Sequence, residues 1–168
     1  MLPKNTTSKL LLGFLLFTTL LGCDQSNLPE KENSFDDCFQ LSIQRHAFSA
    51  QIAITEEELA RGLMFRQKLK KNQGMLFIFP NPKKASFWMK NTSIALDVGY
   101  FDSAGRLVEI YQLYPLDQRP VHSKSQVIKY ALEMRIGWFQ DNNISSGHTL
   151  DLKKVNAAIQ KRKNTLEF

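Results

Sequence analysis

The run Gly74-Met75-Leu76-Phe77-Ile78-Phe79 constrains the fold more than any other stretch of this 168-residue chain. Apolar residues follow one another without the alternation that would leave one face of an extended strand to water. The strand is therefore expected to be central and buried on both sides. Pro80-Asn81-Pro82 ends it, because proline cannot donate to a ladder. An apolar content of 43% is that of a globular protein and argues against disorder.

Elsewhere the period is mostly two. Phe39, Leu41 and Ile43 share one parity, and Phe48, Ala50, Ile52 and Ile54 another, with Gln44-Arg45-His46 between them: two strands or a hairpin. Thr55 followed by Glu58 is a capping box, so a short helix starts there and ends near Gly62. Phe87 to Met89 and Ile94 to Phe101 read as strand. Asp102-Ser103-Ala104-Gly105 then fits a type I turn, and Arg106 to Leu113 returns antiparallel. Tyr114 to Ser125 is long and aperiodic, as functional connections often are. Val127 to Ile136 alternates again, with Ile128, Tyr130, Leu132, Met134 and Ile136 toward the main core and Glu133 on the other parity. His148 to Leu152 reads as a closing strand. Leu152, Val155 and Ile159 make one face of a terminal helix that ends in a solvated Lys161-Arg162-Lys163. The expected fold is mainly β: a single distorted β-barrel or jelly-roll-like sandwich, with one short internal helix and a C-terminal helix.

The amino terminus is of another kind. A basic start is followed by an apolar run, Leu10 to Leu21, of about a dozen residues, which suits a secretory signal and falls short of the ~20 that cross a bilayer. Leu20-Leu21-Gly22-Cys23 resembles the bacterial lipobox, in which cleavage before the cysteine leaves it triply acylated. Several acyl chains give essentially permanent membrane attachment, whereas one is reversible. Asp24 after the cysteine resembles an inner-membrane retention signal. The expected order is a lipoprotein signal peptide at 1–22, a polar flexible tether at 23–37, a β domain at 38–152 and a basic helix or tail at 153–168. The expected location is the exported side of a bacterial cell envelope. With Cys23 lipidated, Cys38 is left unpaired, as a small buried apolar residue.

Function is concentrated in Phe87-Trp88-Met89-Lys90-Asn91-Thr92, closed by Ile94-Ala95-Leu96-Asp97. A strand that only fills a core has no use for Lys, Asn, Thr and Asp so close together. A pocket that grips a polar molecule does, since a few placed polar groups on an apolar lining give specificity. Arg66 follows the apolar trio Leu63-Met64-Phe65 and is expected to turn inward toward Asp97 or Glu133.

Taken together, Arg61-Gly62-Leu63-Met64-Phe65-Arg66, Gly74 to Phe79, Phe87 to Thr92 with Leu96-Asp97, and Tyr130-Ala131-Leu132-Glu133 with Gly137 resemble the DUF192 family, also called UPF0127. The resemblance spans Phe39 to Leu152. It implies one mainly β domain, often exported, and no established reaction; a shared fold does not itself assign a function. It also implies Met64, Arg66, Trp88, Lys90, Asn91, Thr92, Asp97 and Glu133 as the site candidates. The chain departs from the family pattern at Gly147-His148, where Gly-Asp is common, and at Gly99, where a branched or aliphatic residue is usual.

Three functions follow. The first is a membrane-tethered module that binds a sugar or an anionic envelope fragment, with Trp88 as the stacking face. The second is a hydrolase using Asp97 and Glu133 as an acid/base pair, which requires both carboxyls across one cleft. The third is a structural or partner-binding lipoprotein in which Asp97 and Glu133 pair with Arg66 and Lys90. A net charge of +6 comes without a nucleic-acid-binding module, so no nucleic-acid partner is expected. His46 and His122 lack companions at metal-ligand spacing, so no metal or cofactor is expected either.

Overall fold

The computed structural model describes residues 34–164. The expected hairpin forms as β1 (Phe39–Ile43) and β2 (His46–Ala53), joined at Gln44-Arg45. Helix α1 (Glu56–Arg61) carries the complete capping box, with Thr55 accepting from the Glu58 N–H and the Glu58 carboxylate accepting from the Thr55 N–H. It ends at Gly62 (φ 49°), where a Cβ would stand 3.2 Å from the Phe77 ring. Only glycine lets the helix end come that close to the sheet in this conformation.

Strand β3 (Gln73–Lys83) then runs parallel to β2, and its apolar run is buried from Gly74 through Phe79, as its composition requires. The remaining strands are β4 (Ser86–Phe87), β5 (Leu96–Phe101), β6 (Leu107–Leu113), β7 (Val121–His122) and β8 (Ile128–Arg135). β5 and β6 form the antiparallel pair around Asp102 to Gly105. The Asp102 carboxylate accepts from the Ala104 and Arg106 N–H groups at 2.9 Å. β8 inserts between β3 and β5, antiparallel to both. The large sheet thus has six strands in the order β1-β2-β3-β8-β5-β6, and β4 pairs β7 separately. Helices α2 (Trp138–Asp141) and α3 (Leu152–Lys163) complete the order.

Each face of the large sheet carries its own core. Leu76, Ile78, Leu132, Met134 and Phe101 point to one, under Trp138, Phe139, Val155 and Ala158 of the two later helices. Met75, Phe77, Val98, Tyr100 and Ala131 point to the other, under Leu63, Phe87 and Met89. This double covering is what a strand without alternation demands.

The expected barrel is not formed. Residues 149 and 150 touch Arg106 and Ile43, next to and within the two edge strands, through single bridges rather than a ladder, and the sheet stays open. The same segment corrects the expected closing strand at His148 to Leu152. His148 does a turn's work: its Nδ1 accepts from the Ser145 N–H at 3.4 Å, a bond a carboxylate at this position could also accept. Gly99 is explained by packing. A Cβ there would meet the Phe139 ring at 2.6 Å, so the aromatic ring of α2 fills the space that a branched side chain would take.

Two more expectations change. Cys38 is exposed rather than buried, and accepts from the Gln73 side-chain amide at 3.3 Å. Arg162 is not a solvated tail residue: it is 2% exposed and paired with Glu58, which links the terminal helix to α1.

Candidate functional site

On the Phe77 side of the sheet lies a cavity of about 440 Å³, within the roughly 300–1,000 Å³ of small-molecule sites. Helix α1 and the chain after it supply Arg61 and Met64 to its wall, β3 supplies Phe77, Phe79 and Lys83, and the segment after β4 supplies Trp88 and Thr92. Glu133 of β8 completes it. Trp88 is 47% exposed, so it stands at the rim, whereas Thr92 and Glu133 are each 4% exposed.

Glu133 is the feature without a structural explanation. Its carboxyl group has no hydrogen bond or ion pair among the described residues. Burial alone pushes its pKa up to about 8, because an apolar surrounding disfavours the charged form. An unpaired buried acid is costly, and native proteins rarely keep one without use.

Register decides which candidates can cooperate. Glu133 lies opposite Val98, while Asp97 lies opposite Met134, one position along on both strands. Successive side chains alternate faces, so Asp97 points to the α2 side of the sheet and Glu133 to the cavity side. The expected acid/base pair is therefore corrected: the two carboxyls never share a cleft. Asp97 has a structural task. Its Oδ2 accepts from the Gly137 N–H at 2.8 Å and fixes the left-handed turn (φ 81°) into α2. Burial raises its pKa above the usual carboxylate value, opposed by that backbone bond and by Arg135.

Arg66 does not turn inward either. It pairs with Asp36 at 2.6 Å and donates to the Gln51 side-chain carbonyl at 3.2 Å. Gln51 in turn donates to the Phe35 carbonyl, so the stretch expected to be a free tether already packs on the domain at its described end. Lys90 is exposed, with its ammonium 5.2 Å from the Trp88 ring centroid, outside the cavity wall. Asn91 contributes backbone: at φ 54° its carbonyl accepts from the Phe65 N–H at 2.7 Å. Thr92 donates its hydroxyl proton to the Lys90 carbonyl, and its own carbonyl accepts from the Leu116 N–H at 2.9 Å. Phe65 and Leu116 also adopt positive φ, 64° and 61°. Bulky residues there cost on the order of 1–3 kcal/mol each, a strain that persists only where surroundings impose it. Three loops are thus laced together at the rim of the cavity.

Of the sequence candidates, Met64, Trp88, Thr92 and Glu133 converge on one hollow, and Arg66, Lys90, Asn91 and Asp97 do not line it. Sequence reasoning passed over Arg61 and Lys83. Lys83 is exposed at the end of β3 and reaches to 4.6 Å from the Phe79 ring centroid. Nothing in a Lys-Lys pair after a proline turn signals that, but Arg61 opens the Arg-Gly-Leu-Met motif and could have been taken with it.

The arrangement now meets its relatives. The DUF192 family model, described as an uncharacterised ACR, matches residues 39–152. The chain belongs to the DUF192 family. A crystal structure of a protein of unknown function from Novosphingobium aromaticivorans resembles this DUF192 chain with a TM-score of 0.62 at 31% identity, over 68% of this chain and 83% of that one. A second, of a putative transcription regulator from Sinorhizobium meliloti, gives a TM-score of 0.65 at 26% identity, over 71% of this chain and 96% of that one. No curated protein is a significant match to the DUF192 chain.

Proposed function

We propose that this DUF192 chain is a membrane-tethered binding module whose cavity receives a small polar ligand, most plainly a sugar or a sugar-bearing envelope fragment. One observation carries this: a buried carboxyl group, Glu133, faces a ligand-sized hollow and has no partner in the protein. An indole at the mouth supports a ring ligand, since aromatic faces hold such rings by stacking and exclude water. An anionic fragment would find Arg61 and Lys83 in the wall, but both already stand over rings, Arg61 over Phe35 at 5.4 Å and Lys83 over Phe79 at 4.6 Å. A purely structural role accounts for Arg66 and for the Oδ2 of Asp97, whose partners are named above, and leaves the Glu133 carboxyl unexplained.

The chain has two tryptophans, and Trp138 is buried on the far side of the sheet. A Trp138→Phe background therefore makes Trp88 the sole reporter. Titration with envelope sugars is expected to shift Trp88 emission saturably, and the shift should vanish in Trp88→Ala. A flat signal with every sugar tested counts against a binding cavity.

The tether is a separate part of the proposal. Cys23 lies outside the described residues, and among those no helix is long and apolar enough to cross a membrane. The proposed anchor is acylation of Cys23. Expressed in a bacterium, the chain is expected to fractionate with membranes and take up labelled palmitate. Cys23→Ser should lose the label; equal labelling in both would remove the anchor from this proposal.

A further inference from the structure

Resting on the cavity described above, we propose that its ligand carries a protonated amine, an ammonium seated against Glu133, so that among sugars the amino sugars are preferred.

The charges and hydrogen-bonding groups of the wall point this way. Around Glu133 the chargeable groups are Glu56 and Arg61 on α1, Lys83 on β3 and Tyr100 on β5. Neither cation offsets the carboxylate: each sits over an aromatic ring, and burial alone sets the ionisation of Glu133. The Tyr100 hydroxyl donates to the Val121 carbonyl at 3.1 Å, so its proton is committed elsewhere. The Thr92 hydroxyl has likewise spent its proton on the Lys90 carbonyl and can only accept from a ligand. The donors of the wall, Arg61, Lys83 and Ser86, are exposed at its solvent side, whereas the buried Glu133 and Thr92 offer acceptors. An ammonium is the complementary group, with three donors and no acceptor.

The lining adds a second attraction. Phe77, Phe87 and Trp88 bound the same space, and aromatic faces attract desolvated cations through their quadrupoles. A buried carboxyl with aromatic walls is poor for an anion, which would meet lone pairs, and only moderate for a neutral hydroxyl. For an ammonium it supplies charge and π faces together. When the cation arrives, the partner that Glu133 lacks is present, its carboxyl ionises, and the proton leaves to solvent. No bond other than that O–H is broken.

Glucosamine and glucuronate each differ from glucose at one carbon, C2 in the first and C6 in the second, with opposite charge and little change of shape, which makes the three sugars the test. In the Trp138→Phe background at pH 6, where the amine of glucosamine is protonated, glucosamine is expected to bind on the order of tenfold tighter than glucose or more, and glucuronate weakest. The carboxyl carbon of Glu133, followed by ¹³C NMR, should move to its ionised position as glucosamine saturates and stay put with glucose. In Glu133→Gln the three affinities should come within about twofold of one another. Equal or tighter binding of glucose or glucuronate by the wild type would overturn the ammonium site and leave the cavity as a binding site. Silence with all three would overturn both.

Discussion

Glu133→Gln is expected to make the domain more stable above neutral pH, by on the order of a few kcal/mol at pH 9, while changing little at pH 4. The sign follows from burial. The carboxyl has an ordinary value of 4.5 in an unfolded chain and about 8 in the folded one. Below 4.5 both states hold the proton and nothing is lost. Between 4.5 and 8 the unfolded chain has released it and the folded chain has not, so the unfolded state binds fewer protons and stability falls as pH rises. Above 8 the folded state must either bury a bare carboxylate or unfold, and the penalty is complete. Glutamine keeps the shape and never ionises, so its curve should lack this decline. Asp97 titrates in both proteins and drops out of the comparison. The raised Tyr100 hydroxyl lies above the window, held there mainly by burial and further by Glu133. Urea midpoints at pH 5, 7 and 9 read the difference directly; parallel curves would mean that Glu133 is solvated in solution and that the cavity floor is wet.

Trp138→Ala is expected to lower stability by about 3–5 kcal/mol at every pH, the range for emptying a large aromatic site in a core. Trp138 is 1% exposed and meets Phe48 and Phe139 edge-on, at centroid distances of 5.5 Å and 5.2 Å. Its indole N–H donates to the Asn72 side chain at 3.2 Å, and the Asn72 carbonyl accepts from the Ser49 N–H at 2.8 Å. The substitution thus opens a void and releases the approach to β3 together. Melting should drop by on the order of 10 °C or more, with Trp138→Phe losing only part of that. A fall of a degree or two would show that α2 is an ornament on the sheet rather than a cover for it.

The two substitutions also show what the chain declares in advance and what it conceals. The unbroken apolar run of β3, the Thr55 capping box and the Asp102 turn each rest on neighbours within a few residues, so all three could be read directly. Strand order could not be. The position of β8 between β3 and β5 depends on pairings 29 to 60 residues apart, and a period of two is the same in an open sheet and a closed barrel. The fate of Asp97 and Glu133 turned on that point. Both are acids on apolar strands; only the pairing of Val98 with Glu133 reveals that they face apart. Arg66 was misplaced for a related reason: its partner Asp36 lies in a polar stretch that composition alone marks as linker. Glu133 itself stood out as an acid on the parity opposite Ile128, Tyr130, Leu132 and Met134, with the small Ala131 two residues before it.

The insertion of β8 also bears on how the molecule comes into being. β8 is the last strand of the large sheet along the chain, yet it occupies an interior place. Until residues 128–135 exist, the polypeptide holds β1-β2-β3 and β5-β6 as separate ribbons, each with a naked hydrogen-bonding border. Such borders recruit other chains. A polypeptide cut short before residue 128 should therefore yield aggregates, not a smaller working domain, and β8 is the keystone that turns two sticky halves into one molecule.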